Sequence, residues 1–134
     1  MKKKFRKHMV SLADVFDFMK EFMVLNGIDD SSAYAINLAV EEIFTNFVKY
    51  GTKSDSEISV DLLKEADKLT VQIVDLDAEE FDVTAFPKAD TDLPLKDRKI
   101  GGLGIHLVRQ MMDEVKYEYK DQNSKITLVK YLGR

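Results

Sequence analysis

The apolar residues of the chain recur in two periods, and the switches between them mark out its elements. Leu12, Val15, Phe16, Met19, Phe22 and Met23 fall at helical spacing, which predicts a first helix over roughly 12–25. Ser11 stands at its N-cap, Asp14 in its first turn and Asn26-Gly27 at its C-terminal stop. Ile36, Val40, Ile43, Phe44 and Phe47 repeat the period in a longer second helix. Asp29, Asp30, Ser31 and Ser32 offer its caps, and Gly51 ends it after Tyr50. The period then falls to two. Ile58, Val60 and Leu62 alternate with polar residues, as do Leu69, Val71 and Ile73; the short run 64–68 between them predicts an antiparallel pair. Ile105, Leu107, Val108, Met111 and Met112 mark a third helix ending near Asp113. Val115, Tyr117 and Tyr119, then Ile126 and Leu128, predict two last strands joined by a turn at 121–124. Residues 2–10 carry a weaker edge-strand pattern.

Between 78 and 99 the periodicity dissolves. Both prolines, Pro87 and Pro94, lie here among many Asp and Lys residues. An irregular stretch of this length is expected to be a lid or a binding loop, or else disordered. The order of elements predicts an α/β (α+β) two-layer sandwich: a mixed, mostly antiparallel sheet with three helices on one face. No repeat or linker divides the sequence, so residues 1–134 read as one domain with a lid loop over about 78–101.

Composition narrows the function classes. At 134 residues the chain can bury a single core. The absence of cysteine excludes disulfides, thiolate metal sites and cysteine nucleophiles. A net charge of −4 argues against a nucleic-acid-binding module. The basic cluster Lys2-Lys3-Lys4-Phe5-Arg6-Lys7 is the local exception and reads as a solvated terminus. No apolar run reaches membrane-span length and no signal-peptide core follows the basic start, so a cytoplasmic protein is expected. His8 and His106 are too far apart in the chain to suggest a zinc site.

Three groups of residues carry candidate chemistry. Glu42 and Asn46 are four apart on the second helix and stack on one side of it, where they could share a water, a divalent ion or a phosphate-bearing ligand. Asp75 continues the inward row Leu69, Val71, Ile73. A carboxylate so placed meets a ligand or a protein donor, or else the strand has ended and it turns to water. Gly101-Gly102-Leu103-Gly104 leads into the third helix. Glycines there let a ligand approach the backbone, and the N–H groups and dipole of a helix start attract phosphate; Arg98 and Lys99 just upstream could add charge-assisted contacts. This is not a Walker loop, since no Gly-Lys-Ser/Thr follows.

In this order, the Glu42-x-x-x-Asn46 helix, the strand ending in Asp75, the long loop and the glycine-rich helix start resemble the Bergerat-fold (GHKL, histidine-kinase-like) ATP-binding domain. More narrowly they resemble the bacterial anti-sigma factor serine/threonine kinases, the partner-switching regulators. Val40-Glu41-Glu42-Ile43-Phe44-Thr45-Asn46 and the run from Gly102 to Val115 match that pattern. The resemblance implies a cofactor pair, ATP and Mg²⁺. It implies that Glu42 is the general base on a serine hydroxyl of a partner protein and that Asn46 holds the metal. Asp75, with Asp77 beside it, falls at the adenine position. Gly102, Leu103 and Gly104 fall at the phosphates, flanked by Arg98, and Thr127 on the last strand falls near the adenine pocket. The implied partners are a sigma factor and an anti-sigma antagonist, with no nucleic acid and no membrane; relatives commonly form homodimers through the sheet side.

The run Asp75-Leu76-Asp77-Ala78-Glu79-Glu80-Phe81-Asp82 departs from the family, which usually has glycine two residues after the aspartate. Loss of that glycine and the added carboxylates both oppose nucleotide binding. The alternative is therefore a non-catalytic interaction module of the same fold. A detached sensor-kinase catalytic domain is a third reading, weakened by the lack of a phospho-acceptor helical hairpin in the sequence.

Overall fold

The computed structural model describes residues 1–50, 56–76 and 100–133. Strands β1 (Lys2–Arg6), β2 (Glu57–Glu65), β3 (Lys68–Asp75), β4 (Glu114–Lys120) and β5 (Asn123–Tyr131) form one sheet in the order β1-β2-β3-β5-β4. Every pairing in it is antiparallel. Helices α1 (Leu12–Leu25), α2 (Asp30–Tyr50) and α3 (Ile100–Met111) complete the two layers. The expectation of a mixed sheet is thus simplified: among the described strands no parallel pair occurs.

Local chemistry sets the element ends. Gly27, at φ +61°, ends α1 in a Schellman stop, with Ile28 N–H donating to Met23 C=O and Gly27 N–H to Val24 C=O. Asp29 caps α2 by accepting the Ser32 N–H at 3.0 Å. Ser11 is not the side-chain cap that its position suggests. A 3₁₀ turn (Met9–Ser11) precedes α1, and the capping acceptor there is His8 Nδ1, which receives the Val10 N–H. The β4–β5 turn is only Asp121-Gln122, both at positive φ, the left-handed pair that a two-residue hairpin requires. The β2–β3 hairpin is equally tight at Ala66-Asp67.

The core lies between the layers. Ile58, Val60 and Leu62 of β2, Leu69, Val71 and Ile73 of β3, and Ile126 and Leu128 of β5 form the inner face of the sheet. They pack under Val15, Met19, Ile36, Val40, Ile43, Phe44 and Phe47 from α1 and α2, and Ile105 and Val108 from α3. The period-two and period-3.6 patterns bury most of the residues they predict; Leu107 is 44% exposed, Leu12, Phe16, Met111 and the β4 row Val115, Tyr117 and Tyr119 are half-buried, and Phe18, outside the predicted stripe, is buried. Two differences matter for the site. The basic N-terminal segment is not the solvated terminus that its charge suggests: Lys2–Arg6 form the edge strand that the weaker pattern over 2–10 predicts, with Phe5 turned into the core. Helix α3 opens at Ile100, so the glycine cluster forms its first turn instead of preceding it.

Phe44 has no exposed surface and is among the largest buried side chains. Phe44→Ala should lower unfolding free energy by about 3–5 kcal/mol in urea titration. Val24→Ala, on the outer side of α1 at 71% exposure, should change it by no more than about 0.5 kcal/mol. Equal effects would place Phe44 outside the core.

Candidate nucleotide site

Helix α2 presents the first two candidates. Its inward stripe of Ile36, Ala39, Val40, Ile43, Phe44 and Phe47 fixes its rotation against the sheet. That rotation leaves Glu42 half-buried at the border of the stripe and brings Asn46, one turn on, to 2% exposure. Burial pushes the Glu42 carboxyl above its ordinary range; Glu41 adds to the rise and Lys49 opposes it. A carboxylate shifted upward is a better proton acceptor than a solvated one. The Asn46 carboxamide oxygen, itself buried, is a hard neutral donor of the kind that suits Mg²⁺. Among the described residues no three His, Asp or Glu side chains gather as a metal cage.

Helix α3 packs against α2. Ile100, Gly101 and Gly102 open the helix with backbone N–H groups that have no partner within it, and Leu103 and Gly104 follow directly. The structure thus puts an anion-attracting helix end on the helix next to the one bearing Glu42 and Asn46. Asp77, Arg98 and the lid loop over 78–99 lie outside the described residues.

Asp75 closes β3 on its inner face, and its carboxylate is met by a protein donor. Lys7 Nζ donates to Asp75 Oδ2 at 2.7 Å, and the two side chains are 1% and 2% exposed. Ser56 Oγ donates to Asp75 Oδ1 at 3.4 Å. Burial raises the Asp75 carboxyl above its usual range, and the Lys7 ammonium holds it down part of the way. The strand ladders produce this meeting. Arg6 pairs with Glu57, Ile58 pairs with Asp75, and Lys7 N–H continues to Ser56 C=O at 3.2 Å, so Lys7, Ser56 and Asp75 sit at one end of three adjacent strands. Lys7 was the residue to find. It stands two after Phe5, and once Phe5 faces inward the strand period turns Lys7 inward as well.

Thr127 pairs with Gln72 and Lys116 and alternates with the buried Ile126 and Leu128, so it lies on the sheet face away from the helices. The structure does not bring it to Asp75. The residue opposite Asp75 on β5 is Ser124, fully buried, with its Oγ 3.5 Å from Tyr117 Oη. A concavity of about 650 Å³ runs between α1 and α2, lined mainly by apolar side chains such as Phe16, Met23 and Tyr34. It is separate from the Asp75 end of the sheet.

Comparison with known proteins agrees with this architecture. The chain is 34% identical over 104 residues to "Serine-protein kinase RsbW" of Listeria monocytogenes, a match covering 73% of this chain and 65% of that protein. It is 35% identical over 105 residues to the protein of the same name from Staphylococcus epidermidis, covering 72% and 64%. The match thus spans somewhat under two thirds of these relatives' length. Among solved structures, "the RsbU and RsbW domains of Rv1364c from Mycobacterium tuberculosis" superposes with a TM-score of 0.66 at 14% identity, over all of this chain and 33% of that one. Acinetobacter baumannii histidine kinase AdeS superposes at 0.55 and 10% identity, over all of this chain and 68% of that one. The model of the histidine kinase-like ATPase domain matches residues 5–130, and the chain belongs to that family.

Proposed function

We propose that the chain is an anti-sigma-factor-like serine/threonine protein kinase. It binds Mg-ATP, phosphorylates an anti-sigma antagonist protein and regulates a sigma factor by sequestering it in the cytoplasm. The observation that carries this reading is Glu42 and Asn46 on one face of α2, half-buried and buried, on the helix against which α3 packs. Names of relatives as serine-protein kinases support the same reaction class.

In this scheme Glu42 accepts the proton of the partner's serine hydroxyl, and its raised pKa suits that task. Asn46 contributes an oxygen to Mg²⁺, which when bound offsets the charge of the phosphates. The free backbone N–H groups at the start of α3, that of Gly102 among them, would bind the phosphate chain, with Leu103 and Gly104 continuing the helix whose dipole is already oriented before transfer. Asp75 accepts a hydrogen bond from the base.

The interaction module without catalysis is the second reading, and one observation favours it. Lys7 already occupies the Asp75 carboxylate that would receive adenine. Isothermal titration with Mg-ATP separates the two readings. The kinase reading predicts saturable heat of binding; a flat titration at millimolar nucleotide overturns it.

If nucleotide binds, Glu42→Gln should preserve binding and slow phosphotransfer by about 10²–10⁴-fold. Transfer at the original rate would remove Glu42 as base. The pH profile carries a sign. A base works deprotonated, so wild-type transfer should fall on acidification, with its midpoint above 4.5, the ordinary glutamate value, because burial raises Glu42. A midpoint at or below 4.5 would contradict that assignment.

A further inference from the structure

The Lys7 ammonium is buried, and it has more hydrogen-bonding capacity than the fold uses. An ammonium carries three N–H donors. Among the described residues the Lys7 ammonium makes one hydrogen bond, to Asp75 Oδ2. Toward the described residues two donors therefore remain, on a side chain that is 1% exposed. Buried donors without acceptors are costly and uncommon, and their presence calls for a ligand or an ordered water. Asp75 also keeps room for a further donor. A carboxylate offers about four lone-pair positions, and here Lys7 and Ser56 take one each.

The pair is electrically balanced, so it is poorly matched to a phosphate. It presents a hydrogen-bond donor and an acceptor side by side. Its complement is an acceptor beside a donor on a flat, neutral ring edge. The N1 and 6-amino group of adenine have that arrangement. O6 and N1–H of guanine repeat it, so the pair reads a pattern that both purines carry.

We propose that Lys7 belongs to the nucleobase site and donates a hydrogen bond to the ring acceptor next to the group that Asp75 binds; in ATP that acceptor is N1. This rests on the reading of the chain as an ATP-binding protein. It changes the meaning of the ion pair: Lys7 is then half of the base-reading edge and need not leave Asp75 when nucleotide arrives.

Deleting one ligand atom tests this. 1-Deaza-ATP replaces N1 by C–H and keeps the 6-amino group. Titrated into the wild-type chain, ATP should bind about 10–100-fold more tightly than 1-deaza-ATP, because the analogue leaves a buried charged donor unmet. In Lys7→Met the two should bind within about twofold of each other, and ATP affinity should drop. In Lys7→Arg, which keeps a charged donor, a preference for ATP should persist. Equal affinities in the wild type would overturn the proposal and leave a water as the partner of Lys7, and this comparison needs no variant to fold. An unchanged preference for ATP in a folded Lys7→Met would overturn it too. If the wild type binds no ATP, the kinase reading fails and this proposal fails with it. If ATP binds without preference over the analogue, only the assignment of Lys7 falls.

Discussion

The 2.7 Å ion pair between Lys7 and Asp75 is the constraint on which the candidate site depends. Two opposite charges taken out of water together are tolerable; either alone is not. The pair ties the end of β1 to the end of β3 across β2 and fixes an acceptor at the mouth of the inner sheet face. Stability alone does not account for it, because buried ion pairs are often no better than packed hydrocarbon of the same volume. What the pair adds is a donor and an acceptor held in a set relation away from water.

Helix α2 provides the second fixed surface. Its inward stripe is fully buried, so its rotation is over-determined by packing, and Glu42 and Asn46 inherit their positions from Ile43, Phe44 and Phe47. Packing of α3 on α2 brings the glycine-rich helix start into the same layer. Positions set by a close-packed core vary little, which is what proton transfer and phosphate binding require. The same burial that anchors the helix raises the Glu42 carboxyl, which is the shift that the proposed role as general base requires.

Much of this was legible in the residues. Helix α1 runs from Leu12 to Leu25, as its stripe and the Asn26-Gly27 stop require, and β2, β3 and β5 bury the alternating rows that their sequence shows. Phase put Asp75 in line with the inward row but left open whether the strand had already ended; its pairing with Ile58 and Ser124 keeps it inward. The partner of Asp75 was hidden because five basic residues around Phe5 look like a solvated tail. Only the pairing of β1 with β2, a contact remote in sequence, turns Lys7 inward. Ser11 failed as a cap because the chain enters α1 through a 3₁₀ turn, which hands the capping task to His8. The resemblance put Thr127 near the adenine pocket, yet its register partners are Gln72 and Lys116, on the far face. Register across a sheet is set by turn geometry, and the two-residue turn at Asp121-Gln122 was tighter than its run of polar residues suggested.

The most direct measurement of a shared pocket is an amide chemical-shift titration of the full chain with Mg-ATP. Shifts gathered at Asn46, Asp75 and the Gly102–Gly104 helix start, with Lys7 among them, are the predicted result. Shifts confined to the groove between α1 and α2, or none at saturating nucleotide, would contradict it.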